Sequence, residues 1–152
     1  MPTNTYVPLA TVTLTGNDSQ ILFSSIPNTY RDLVIVFDAS STGGENMTPT
    51  LNGSSSDFSW VQMSYGNSSG TGTNNSIGAI YTGGTVGRLE FLDYAQTNKH
   101  KTFFVTTSGN TGDNRLLACR WGTTIAINSI GLSIRLGYSW TTGSVFSLYG
   151  VH

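Results

Sequence analysis

Charge is the scarcest property of this sequence. Its 152 residues include seven Lys and Arg and eight Asp and Glu, 10% of the chain, where about 25% is usual in globular domains. The basic residues are scattered and the net charge is −1, so no basic patch exists to neutralise phosphates. That excludes a nucleic-acid binder. A single cysteine, Cys119, excludes an internal disulfide. It stands in the apolar stretch Leu116-Leu117-Ala118-Cys119 and reads as a buried, inert thiol. No apolar run approaches the length of a membrane-spanning helix. The opening residues MPTNTYVPLA lack the basic start and apolar core of a signal peptide, and synthesis in a cytosol is expected. Heptads, shaft repeats and apolar spacing of three and four are missing as well, so no helix is expected.

What fills the chain instead is 22 Thr, 19 Ser, 12 Asn and 18 Gly. Thr is β-branched and suits a pleated surface, while Gly, Asn and Ser supply tight turns. Disorder is disfavoured, because it accompanies few aromatics and high net charge, and here aromatics reach 11%. The length suits one domain able to fold without metal or disulfide.

Strand patterns recur between turn signals. Ala10–Thr15 alternates, Gln20–Ser24 carries Ile21 and Phe23, and Tyr30–Ala39 holds the apolar run Leu33-Val34-Ile35-Val36-Phe37. That run reads as a strand covered on both faces. Leu33, Ile35 and Phe37 point to the core, and Val34 and Val36 to a second layer or a subunit contact. Pro49 places Thr48–Leu51 at a sheet edge. Gly66–Ser76 reads as a low-complexity loop. Ile77–Thr82 and Thr85–Tyr94 flank Gly83-Gly84 as a hairpin. Phe58–Tyr65, Lys101–Thr107, Arg115–Trp121, Ser129–Leu136 and Ser144–Val151 complete the set. About ten short strands with almost no helix indicate an all-β, jelly-roll-like antiparallel sandwich. Residues 1–9 form an extended N-terminal arm and residues 10–152 the single domain.

Residue types that carry catalysis are thinly spread. Gly66-Asn67-Ser68-Ser69-Gly70 matches the nucleophile-elbow pattern, but the residues after it cannot open a helix, so it reads as a loop. His100 lies between two lysines and His152 is terminal; neither has a companion at metal-ligand spacing. Glu90 and Asp93 stand three apart on a strand and face opposite sides, which unsuits them as an acid–base pair. No catalytic, cofactor or metal site is expected. Trp60 and Trp121 read as core. Tyr138 and Trp140 sit beside Gly137 and Gly143 in a loop, and exposed Tyr and Trp often anchor interfaces.

The segments Phe23-Ser24-Ser25-Ile26-Pro27-Asn28-Thr29-Tyr30-Arg31-Asp32-Leu33, Leu51-Asn52-Gly53, Leu92-Asp93-Tyr94-Ala95-Gln96-Thr97-Asn98-Lys99-His100-Lys101-Thr102 and Phe146-Ser147-Leu148-Tyr149-Gly150 follow one another across nearly the whole chain. In that order they resemble a family of small β-rich virion structural proteins of tailed bacteriophages. Members resemble both capsid decorations and tail-fibre modules, and the family brings no catalytic residues. The resemblance implies a non-enzymatic capsid decoration (cement) protein, made in the bacterial host cytoplasm and placed on the outer capsid surface of the virion. The expected partners are the major capsid protein and further copies of the chain, as a homotrimer, with no cofactor, nucleic acid or membrane. Pro2, Tyr6, Pro8, Tyr138 and Trp140 are the candidate partner-binding residues. The alternative is a receptor-binding module of a tail fibre or tail tip, with a surface glycan as ligand.

Overall fold

A computed structural model describes residues 5–64, 68–110 and 112–152. Among them the chain forms twelve strands and one short 3-10 turn, Arg135–Gly137. In order the strands are β1 (Tyr6–Thr13), β2 (Gln20–Phe23), β3 (Asp32–Ala39), β4 (Glu45–Leu51), β5 (Phe58–Ser64), β6 (Ser68–Gly72), β7 (Ile77–Ile80), β8 (Thr85–Leu92), β9 (Lys101–Gly109), β10 (Asn114–Trp121), β11 (Ile130–Ile134) and β12 (Val145–Val151). They make an eight-stranded antiparallel sheet, β1-β12-β3-β8-β9-β10-β5-β6, and a four-stranded one, β2-β11-β4-β7. No helix among the described residues is long and apolar enough to cross a membrane.

The pairings nest. β1 bonds β12, β2 bonds β11, β3 bonds β8 and β4 bonds β7. The chain therefore behaves as one long hairpin rolled over on itself, with alternate arms in opposite sheets, which is the jelly-roll connectivity. Two hairpins inserted into this scheme, β5–β6 and β9–β10, widen one sheet from four strands to eight. The all-β, almost helix-free sandwich inferred from turn spacing is the observed fold.

Period-two alternation fixes what lies between the sheets. Leu33, Ile35 and Phe37 of β3 are buried, as are Phe103 and Val105 of β9 and Leu132 of β11. Aromatic rings tie neighbouring strands: Phe91 stacks on Phe103 at 5.0 Å and Phe37 on Phe146 at 5.8 Å. Trp60 is half-buried and its ring lies against the outlying strand β6. A Cβ at Gly72 would lie 2.4 Å from its ring, so β6 needs glycine there.

Several local expectations change in three dimensions. The first strand begins at Tyr6, not near Ala10, and Tyr6 pairs with Val151; residues 6–9 of the expected arm belong to the sheet. Pro8 is tolerated because β1 is an edge strand and its register shifts between Pro8 and Ala10. Strand β4 lies between β11 and β7, but β7 pairs only Glu45–Met47, so Thr48–Leu51 has β11 on one side alone and Pro49 stands at a local edge. Its carbonyl turns away from β11 to accept a bond from the Asn75 side chain at 2.9 Å. In an antiparallel strand the N–H points the same way, and β7 pairs only as far as Met47, so the missing donor deprives no neighbouring strand. Gly83-Gly84 joins no hairpin: β7 lies in the small sheet and β8 in the large one. Within the stretch read as a loop, Ser68–Gly72 is strand β6, while Gly66 and Asn67 lie outside the described residues. The Asn52-Gly53 turn is as expected, with φ of 51° and 77°, both positive as a tight primed turn requires.

Candidate interaction surface

The widened sheet turns one face to the core and the other outward, and the outward face is the most distinctive surface of the molecule. Along β3, β8, β9, β10 and β5 the outward positions are the ones skipped by the core alternation. Strand register sets them in rows. One row runs Ser147, Val36, Arg88, Thr106, Leu116, Met63 across six adjacent strands. The next runs Tyr149, Val34, Glu90, Phe104, Ala118, Val61. Val36, Val61, Met63, Val86, Phe104 and Leu116 are all exposed, Met63 by 67%. Val34 is buried between its neighbours in that face. No second layer covers the face among the described residues, so the apolar run of β3 is covered on one side only, with Val36 left open at 39%.

Short side chains at Thr106 and Ser108 leave an open hollow of about 770 Å³ between Val36 and Val86 on one side and Met63 and Leu116 on the other. The exposed charges of the outward face cancel, Arg88 and Arg120 against Glu90 and Asp38. Arg88 pairs with Glu90 at 3.1 Å and donates to the Tyr6 hydroxyl at 3.4 Å. Arg115 at the rim donates to Asp113 at 2.7 Å and to the Asn46 side chain at 3.0 Å, and the Tyr81 hydroxyl donates to the same Asp113 carboxylate. This cluster fastens β10 to β4 and to the end of β7.

The Asp113 cluster gives a pH-dependent contribution. The hydrogen bonds from Arg115 hold the Asp113 carboxyl below its ordinary value, against the opposing effect of burial and with help from Tyr81. Burial, followed by the Asp113 carboxylate, pushes the Tyr81 phenol up. A lowered carboxylate pKa stabilises the native state above the unfolded value, and that contribution disappears as pH falls through the folded one. Asp113→Ala is therefore expected to cost about 1–3 kcal/mol at neutral pH. The urea midpoints of wild type and variant should converge below the ordinary carboxylate range. Midpoints that stay equally separated in acid would count against this account.

Of the five candidate partner-binding residues, two reach the apolar face. Tyr6, exposed by 47%, and Pro8 lie on edge strand β1, and Tyr6 meets Tyr149 edge-on with ring centroids 6.4 Å apart. Pro2 lies outside the described residues. Tyr138 is exposed at 39% and sits against Gly43, where a Cβ would come within 2.4 Å of the ring. Trp140 is not a surface anchor. It is fully buried, packs edge-on against Phe146 at 4.8 Å and donates its indole N–H to the Leu132 carbonyl at 2.8 Å. Its loop position is real, but its backbone bonds Asp18 and turns the ring inward. The sequence assigns Val36 to a second layer or a subunit contact; Val61, Met63, Val86, Phe104 and Leu116 are missed because each, taken alone, reads as one more strand residue.

Reactive groups do not converge. His100 is exposed and accepts from Arg120 at 2.7 Å, and His152 meets the Tyr30 ring at 4.9 Å. Asp93 pairs with Lys99 at 2.6 Å, whereas Lys101 is buried. Burial pushes the Cys119 thiol up to about 12, which leaves almost no thiolate at neutral pH. Among the described residues no three His, Cys, Asp or Glu stand close enough together to hold a metal ion. No protein-family model matches this chain, and neither a curated protein nor a solved structure matches it.

Proposed function

We propose that this chain is a non-enzymatic structural protein of a virion, a capsid decoration protein that binds the major capsid protein on the outer shell of a tailed bacteriophage, as a homotrimer. The observation that supports this reading best is the outer face of the eight-stranded sheet. Solvated antiparallel faces are normally polar, and free monomers rarely leave contiguous apolar patches of more than a few hundred Å² open. A face that is broad, apolar and free of net charge suits a protein whose working state is an assembly. The sequence resemblance set out above supplies the kind of assembly. Of the loop aromatics Tyr138 and Trp140, which a glycan-binding surface would use, only Tyr138 remains at the surface.

The N-terminal segment with Tyr6 and Pro8, at the margin of the large sheet, is the element assigned to the shell. Purified protein added to capsids that lack it should co-sediment with them, and in images of the particle it should sit on the shell. Density for the chain at the tail alone would overturn the decoration reading in favour of receptor binding.

A further inference from the structure

The apolar face needs an occupant, and we infer that it is another copy of this chain. Three observations select a copy over a charged partner. The first is charge. Arg88 and Glu90 are the paired charges at the middle of the face, on the fourth of eight strands, and both heads remain partly exposed at 41% and 35%. The other exposed outward charges, Asp38 beside Val86 and Arg120 beside Thr102, are again one of each sign, so two copies meet with no net repulsion. In a closed assembly Arg88 of one copy reaches Glu90 of the next, while its own Glu90 serves a neighbouring Arg88, the reciprocal arrangement that symmetric contacts need. An acidic or basic partner would find no net charge to pair with.

The second observation is area. The six strands that the rows of this face cross, each seven to nine residues long at roughly 3.3 Å per residue and about 4.8 Å apart, present a face on the order of 700 Å². That is close to the roughly 800 Å² per partner of a standard stable interface. The third is composition. The face offers valine, methionine, leucine and phenylalanine interleaved with threonine and serine. Lysine is absent from its rows, in keeping with the depletion of lysine at interface cores.

The inference deepens the assembly reading above, and its test is run without capsids so that the two can fail separately. In analytical ultracentrifugation the purified full chain should sediment at a whole multiple of 16.2 kDa greater than one. Val36→Glu/Leu116→Glu should sediment as a single chain with an unchanged melting temperature, because both side chains already face outward. A second measurement does not depend on that variant. Val86→Cys should react with a maleimide at least tenfold more slowly than Ser55→Cys, a loop position away from the sheet; the buried Cys119 stays silent in both. A wild-type mass of one chain overturns the inference, as does a double variant that keeps the wild-type mass, or equal labelling at the two cysteines. A monomer that nonetheless binds capsids sinks only the copy contact. An oligomer that never binds them sinks only the decoration role.

Discussion

Trp140→Ala is expected to cost about 3–5 kcal/mol, the usual range for deleting a buried tryptophan. For a domain of this length that corresponds to a fall in Tm of about 10 °C or more. The residue holds three connections together. Its backbone N–H donates to the Asp18 carbonyl at 2.8 Å and its carbonyl accepts from the Asp18 N–H at 3.0 Å, which ties the β11–β12 loop to the β1–β2 loop. On the other side Thr141 donates to the Ser40 carbonyl at 3.0 Å in the β3–β4 connection. The indole then closes this end of the core against Phe146. Truncation removes the packing and also leaves the Leu132 carbonyl without its donor. Trp140→Phe should recover most of the packing and lose only the hydrogen bond, costing about 1–3 kcal/mol. Differential scanning calorimetry of the two variants separates these contributions. A Trp140→Ala protein that melts within a few degrees of wild type would contradict the core assignment.

Lys101→Ala is expected to be comparably severe. The side chain is almost fully buried, and its ammonium donates to the carbonyls of Gln96, of Lys99 at 3.1 Å and of Thr124 at 3.3 Å. Burial, reinforced by the charge of Lys99, pushes its pKa below the ordinary lysine value. The three carbonyls keep the charged form in place and so fasten the β8–β9 and β10–β11 connections together. Alanine leaves all three without this donor and opens a cavity, at about 3–5 kcal/mol. Lys101→Met restores most of the volume and none of the donors. If hydrogen bonding dominates, methionine should rescue little; a variant as stable as wild type would show that the carbonyls find water instead. Chemical denaturation at neutral pH gives the comparison directly.

Both residues show where the sequence is readable and where it is not. Lys101 shares its parity with Phe103 and Val105, so the alternation of β9 already points it inward. Its charge argues for the surface, where its neighbour Lys99 does pair with Asp93. Trp140 lies in a loop flanked by glycines, and a loop aromatic reads as exposed until one sees which way its backbone hydrogen bonds turn the ring. The same limit applies to Gly83-Gly84. A tight turn is evident in the residues, but a turn that folds β8 back beside β7 and one that carries it to the opposite sheet use the same local chemistry.

The sequence by itself determined most of the strands, β6 excepted, the alternation that buries Leu33, Ile35 and Phe37, the Asn52-Gly53 turn and the near absence of helix. These follow from residue type and period-two geometry over a few neighbours. Only the tertiary structure decided the sheet to which each strand belongs, the insertion of β5–β6 and β9–β10 that widens one sheet, and the interior place of Trp140. It alone assembled Val36, Phe104, Leu116 and Met63 into one outward apolar face. Those outcomes depend on pairings between residues far apart in the chain. Local patterning fixes which faces of a strand differ; it does not fix which strand lies beside it, and an interaction surface made of five strands exists only once they are neighbours.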